Sequence, residues 1–167
     1  TSVAVYSSDQ DAGYKLNRLI STASIMGRTL STFDAAQPGL WDRGDALRVK
    51  IASGSLASVG ADQLLNGANL MAIGDGSAEN WELFQFRDAN LVAPATYDLS
   101  MRLRGQAGTD AGMPISWPAG SVVVLMNGAP AQVSLQASER ELARHFRIGP
   151  AKRPFSDPSF THRVEAF

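Results

Sequence analysis

The stretch Trp81–Thr109 (WELFQFRDANLVAPATYDLSMRLRGQAGT) constrains the fold more than any other part of the chain. It reads as two β-strands joined by a Pro-containing turn and closed by a glycine-rich corner. In the second strand Tyr97, Leu99, Met101 and Leu103 alternate with Asp98, Ser100, Arg102 and Arg104. Successive strand side chains point to opposite faces, so the spacing predicts a half-buried antiparallel strand with a wet, basic outer side. The first strand is apolar on both faces, with Trp81 and Leu83 on one and Phe84 and Phe86 on the other. Both of its faces should therefore be covered.

Other segments follow the same grammar. Ser2–Ser7, Tyr14–Ile20 and Gly27–Phe33 have the β-branched and aromatic content of strands, with Asp9, Gln10, Asp11 and Gly13 as turn chemistry. Their cadence is fibronectin-III-like. Leu47, Val49 and Ile51 alternate with Arg48, Lys50 and Ala52 as a clear strand. Ala61–Asn66 suits one helical turn, with Gly67 in the left-handed stop position. Asn127-Gly128 between two apolar runs predicts a hairpin. Ser138 with Glu141 matches a capping box, although His145–Ile148 also alternates as a strand would. Pro150, Pro154 and Pro158 forbid a long regular element near the end. The reading is all-β, an antiparallel sandwich or small barrel. It divides into fibronectin-III-like strands at 1–36, an antiparallel module at 37–137 and an irregular Pro-containing linker at 138–167. The start at Thr1 and the stop at Phe167 read as the ends of a segment of a longer protein.

Composition removes several function classes. The 167 residues carry a formal net charge of −1, which offers no bulk attraction to nucleic acid. No apolar run is long enough to span a bilayer. With no cysteine there are no disulfides and no thiolate metal sites. The two histidines, His145 and His162, stand in the C-terminal segment without a GxSxG elbow, so no hydrolytic triad is assigned. Asp42, Asp45, Glu79, Glu82 and Asp88 are the candidates for a carboxylate pair, and most sit beside turns where acidic residues occur for solvation. Asp75–Asn80 groups oxygen ligands but lacks the spacing of a calcium loop. Calcium near Asp75–Glu79 stays open, and no catalytic, cofactor-binding or metal-binding residue is assigned. Arg43-Gly44-Asp45 reads as a turn into the Leu47 strand. Arg87, Arg102, Arg104, Arg140, Arg144, Arg147 and Arg153 concentrate in the second half, a pattern that favours a protein interface over nucleic acid.

A set of motifs in fixed order narrows the reading. Trp41–Gly44, Ala46–Ile51, Ser53–Ser58, Leu64–Asn69, Trp81–Phe86, Leu103–Thr109 (LRGQAGT), Trp117–Gly120 and Ile148–Ala151 together resemble the C-terminal part of the large tail-tip proteins of gene transfer agents. These megatron or host-specificity proteins are related to the baseplate hub proteins of long-tailed phages. The resemblance implies a structural, protein-interacting domain of a tail hub, supporting host attachment and delivery of DNA. It implies a place at the tail tip or baseplate of a virion or phage-like particle, after synthesis in the bacterial cytoplasm. Expected partners are other tail or baseplate proteins, further copies of the chain in a homotrimer around the tail axis, and a host surface receptor or glycan. No enzyme activity and no cofactor are implied for this segment. The alternative is a carbohydrate- or receptor-binding β-sandwich on the same kind of particle, with Trp41, Trp81 and Trp117 as stacking candidates.

Overall fold

The structure is a computed structural model that describes residues 2–166. Thr1 and Phe167, the outermost residues of the expected first and last segments, lie outside the described residues. In chain order the strands begin with β1 (Val3–Ser8), β2 (Lys15–Ile20), β3 (Met26–Thr29), β4 (Phe33–Asp34), β5 (Trp41–Asp42) and β6 (Leu47–Ile51). A single helical turn, α1 (Ala61–Leu65), precedes β7 (Leu70–Gly74), β8 (Trp81–Ala93) and β9 (Thr96–Leu103). A 3-10 segment at Gln106–Gly112 leads to β10 (Ser116–Trp117) and β11 (Val122–Leu125), and after a second one at Ala137–Glu139 come β12 (Arg144–Pro150) and β13 (Thr161–Glu165).

These elements form two compact units, Ser24–Ala129 and the combination of Thr1–Ala23 with Pro130–Phe167. The boundaries differ from the expected 1–36, 37–137 and 138–167. The fibronectin-III-like run is divided, because β1 and β2 belong to one unit and β3 and β4 to the other.

The Ser24–Ala129 unit is a closed barrel. Its strands run β9-β6-β3-β11-β7-β8, and β8 pairs back onto β9, so the sheet has no free edge within the ring. Every pairing is antiparallel. Six strands enclose only enough room for side chains, and those side chains are the expected ones. Leu47, Val49 and Ile51 point inward from β6 while Arg48 and Lys50 point out. Met71 and Ile73, Phe84 and Phe86, Tyr97 and Leu99, and Val123 and Leu125 complete the interior. Pro94-Ala95 makes the turn between β8 and β9, with Ala95 at φ 55°. The outer face of β8 is covered as its sequence demands. Leu64 of α1 is buried, and the Gln85 side chain donates to the Leu64 and Ala68 carbonyls at 2.6 and 2.8 Å. Gly67 stops the helix at φ 97°.

The other unit is a four-stranded sheet in the order β13-β12-β1-β2. Here the expected irregular tail is corrected. Residues 144–150 pair along the whole of β1, from Val3↔Pro150 to Ser8↔His145, and 161–165 pair with β12. Pro150 closes β12, and Pro154 and Pro158 fall in the turns before β13, so both strands stay intact. The Asn127-Gly128 hairpin is also corrected, since only Gly128 takes a positive φ and 131–135 is not a strand. That segment is tied to β2 by side chains. Arg18 donates to the Gln132 carbonyl, while Asn17 donates to Ser134 O and accepts from Ser134 N. The 3-10 turn nearby is capped by the Glu139 carboxylate on Gln136 N, two residues earlier than the Ser138–Glu141 pattern suggests.

A buried charged centre in the barrel

The largest departure from the sequence reading lies in β9. Tyr97 and Leu99 face the core, but Arg102 and Arg104 do too, at 1% and 0% exposure. The alternation changes phase at Met101, which adopts a left-handed backbone at φ 52°. A non-glycine residue seldom does so. At the same point the edge of β9 changes partner, from β6 (Leu47↔Leu99) to β5 (Asp42↔Arg102). The expected wet, basic face is therefore interior at this end of the strand.

Burial of two guanidinium groups requires partners, and two carboxylates and three backbone carbonyls supply them. Glu82, wholly buried on β8, faces inward with Phe84 and Phe86. Its carboxylate accepts from Arg104 Nε at 2.7 Å and Nη2 at 2.9 Å, from Trp117 Nε1 at 2.8 Å and from Gly105 N at 3.3 Å. Arg104 also donates to the Asp34 carbonyl and lies 3.7 Å from Asp42 Oδ2. Arg102 pairs with Asp42 at 2.9 Å and donates through Nη1 to the Asp45 and Leu99 carbonyls at 2.8 and 2.9 Å. The Phe33 ring caps the group, its centroid 3.5 Å from Arg104 Cζ and 5.3 Å from Arg102 Cζ. Two arginines and two acids make the cluster neutral.

Local sequence explains how the parts meet. The β4–β10 pair sets Trp117 opposite Phe33, so both rings arrive together over Glu82 and Arg104. The RGQAGT corner turns the chain back under β8. Gly105, Ala107 and Gly108 have φ of 59°, 55° and 79°, and a Cβ on Gly105 would lie 2.5 Å from Asp110 Cβ. Thr109 Oγ1 accepts the Leu83 amide at 2.9 Å and donates to Gln106 O at 2.8 Å. The corner thus satisfies β8 and aims Arg104 at Glu82.

Of the carboxylate candidates, the structure brings Asp42 and Glu82 to the same guanidinium and leaves the others apart. Asp45 contributes its carbonyl, Asp88 is bidentate with Arg87, and Glu79 is in an exposed loop. Arg43-Gly44-Asp45 turns the chain as expected, with Gly44 N donating to Asp42 Oδ1 at 3.0 Å. In the suspected calcium loop the Asp75 carboxylate takes Ser77 N and Asn80 Nδ2, each at 2.8 Å, as an ordinary turn does. Trp117 is 5% exposed and is corrected from stacking candidate to core residue; Trp81 donates its indole N–H to Ser77 O, and Trp41 is half-buried on β5. Of the seven arginines expected on one basic surface, Arg140 is exposed and the other six are paired or interior. Arg87, Arg144, Arg147 and Arg153 each pair with a carboxylate, and Arg102 and Arg104 are interior.

Glu82 was among the carboxylate candidates, but its burial and its pairing with Arg104 were not read. Its signal was present, because even positions of β8 carry Phe84 and Phe86, and a glutamate in register with them must be buried and paired. Solvent approaches the cluster through a cleft of about 250 Å³ beside Phe33, Asp42, Asp45 and Arg102. That is below the roughly 300–1,000 Å³ of small-molecule pockets.

Electrostatics gives the cluster a pH signature. Burial pushes the Asp42 carboxyl up, but hydrogen bonds from Arg102 and Gly44 outweigh it and hold the group below its ordinary value. A carboxyl depressed in the folded state contributes stability above its unfolded pKa of about 3.9 and loses it as the pH falls through the folded value. Stability should therefore decline below about pH 4. Asp42→Asn is expected to lose stability at neutral pH, by leaving Arg102 short of a counter-charge, and to show a shallower acid limb. Thermal melts across the acid range check this, and parallel acid limbs for the two proteins would contradict it.

Fold and site together define an all-β protein in which a closed six-stranded antiparallel barrel is built around a neutral cluster of buried charges. The family model described as Rcc01698-like, C-terminal, matches residues 24–124, more than half of the chain, and the chain belongs to that family. The match begins where the barrel unit begins. No curated protein matches the chain.

Proposed function

We propose that this chain is a structural, protein-interacting domain of a tail-tip or baseplate hub protein of a phage-like particle, of the gene transfer agent kind. The observation that carries the reading is the commitment of the barrel's inward carboxylates. Glu82 meets four donors and Asp42 is held by Arg102 and Gly44, an arrangement suited to rigidity rather than proton transfer. The ordered run of motifs from Trp41 to Ala151 supports placement in a tail hub. Exposed apolar residues on the barrel unit, among them Leu30, Leu65, Leu91 and Ile115, suit burial against neighbouring subunits. In this reading neighbouring tail proteins, including further copies around the tail axis, are the partners, and the domain supports host attachment and DNA delivery.

Crosslinking and peptide mapping of purified particles test the proposal. Peptides such as 88–102 should occur in stoichiometric amount, crosslinked to other tail proteins. Their absence from particles would overturn it.

A further inference from the structure

A second cluster of charged and ligating side chains lies on the four-stranded sheet, and neither the barrel nor the proposed hub role uses it. On β12 and β13 the register sets His145 opposite Val164 and Arg147 opposite His162, so the two histidines are diagonal neighbours on one face. Asp11 reaches the same place from the β1–β2 turn. His145 Nδ1 lies 3.1 Å from His162 Nε2, and His162 Nε2 lies 3.7 Å from Asp11 Oδ1. One ligand atom from each of the three residues falls within 4.8 Å of the others.

We propose that Asp11, His145 and His162 form a surface site for a divalent transition metal of the zinc class. Two imidazoles and one carboxylate are a ligand set suited to such a metal. Zinc bonds of about 2.0–2.1 Å place neighbouring tetrahedral ligands about 3.3 Å apart. The observed 3.1 and 3.7 Å bracket that separation. The rings are nearly parallel, at 12° with centroids 5.3 Å apart, and their facing nitrogens share one hydrogen bond in the metal-free state. A modest swing of both rings turns the lone pairs onto a common point on the Asp11 side. Two of the three ligands are borne by paired strands, so the backbone is already placed. Asp11 and His162 are partly exposed, which leaves a fourth position open to water.

The neighbouring groups set the limits on affinity. The Tyr14 hydroxyl and Arg147 Nη2 both donate to Asp11 Oδ1, so a metal at that oxygen competes with two hydrogen-bond donors. Arg147 also holds a positive charge beside the site, so its removal should tighten binding. His145 and His162 were expected in an irregular C-terminal segment; the pairing of β12 and β13 is what brings them together.

The test is calorimetric titration of the tag-free full chain with Zn²⁺ near neutral pH, alongside the cobalt(II) absorption spectrum. One equivalent should bind. His145→Gln and His162→Gln should each weaken binding at least about tenfold, a loss typical even of outer-shell partners. Arg147→Gln should strengthen it. Cobalt should give the intense visible bands of a four-coordinate site, lost in both histidine variants. These side chains are peripheral, and circular dichroism verifies that each variant folds. No saturable one-to-one binding, or histidine variants that bind as the parent does, would overturn the proposal.

Discussion

Replacing Arg104 with methionine is expected to lower the unfolding free energy by about 3–5 kcal/mol, the range for removing one partner of a buried ion pair. Methionine fills much of the volume and keeps an apolar contact with Phe33, so the loss is mainly electrostatic. Glu82 would remain wholly buried, facing Trp117 Nε1 and Gly105 N but without its guanidinium. Asp34 O would lose its donor as well. Domains of this size have roughly 5–15 kcal/mol in total, so the variant should be close to unfolding at ambient temperature. Urea denaturation of the full chain measures it. A loss under about 1 kcal/mol, the value of a surface pair, would mean that the cluster is solvated in solution.

The second large effect is steric. Gly27 sits in β3 between β11 and β6, with Gly27 opposite Ile51. A Cβ there would lie 2.2 Å from Lys50 O and 2.9 Å from Ile51 Cα. Both are backbone atoms of a strand held on its far side by β9, so no side-chain rotation relieves the contact. Gly27→Ala should cost at least about 1–3 kcal/mol, the usual penalty of overpacking, and should loosen the β3–β6 pairing. Gly112→Ala is the matched control, because its Cβ would meet nothing within 4 Å. That change should be neutral or slightly stabilising. Equal melting temperatures for Gly27→Ala and the parent would show that β3 is not locked as described.

Local pattern carried much of the fold. Leu47, Val49 and Ile51 face the core as their alternation predicts, α1 ends at Gly67, and the β8–β9 hairpin turns at Pro94. What local pattern missed has two physical causes. Met101 takes a left-handed backbone without the glycine that would advertise it, and that one residue turns Arg102 and Arg104 from the surface to the interior. The β1–β12 pairing joins residues about 140 positions apart, as in Val3↔Pro150, and no neighbouring residue encodes such a contact. The tail therefore read as irregular although His145–Ile148 already alternated. The candidate centre was half legible. The RGQAGT corner stood out in the sequence, while its purpose, aiming Arg104 at Glu82, depends on strands that meet only in the closed barrel.

The claim at the centre of this account is that Glu82 and Arg104 act as one unit that holds the barrel together. The unfolding free energy of Glu82→Gln/Arg104→Met, set against both single variants, tests it most directly. Glutamine removes the stranded charge and keeps an acceptor for Trp117 Nε1, so the double variant should be more stable than Arg104→Met alone by at least about 1 kcal/mol. If the two losses simply add, the pair is not coupled, and the barrel is held by its apolar core without help from the charged centre.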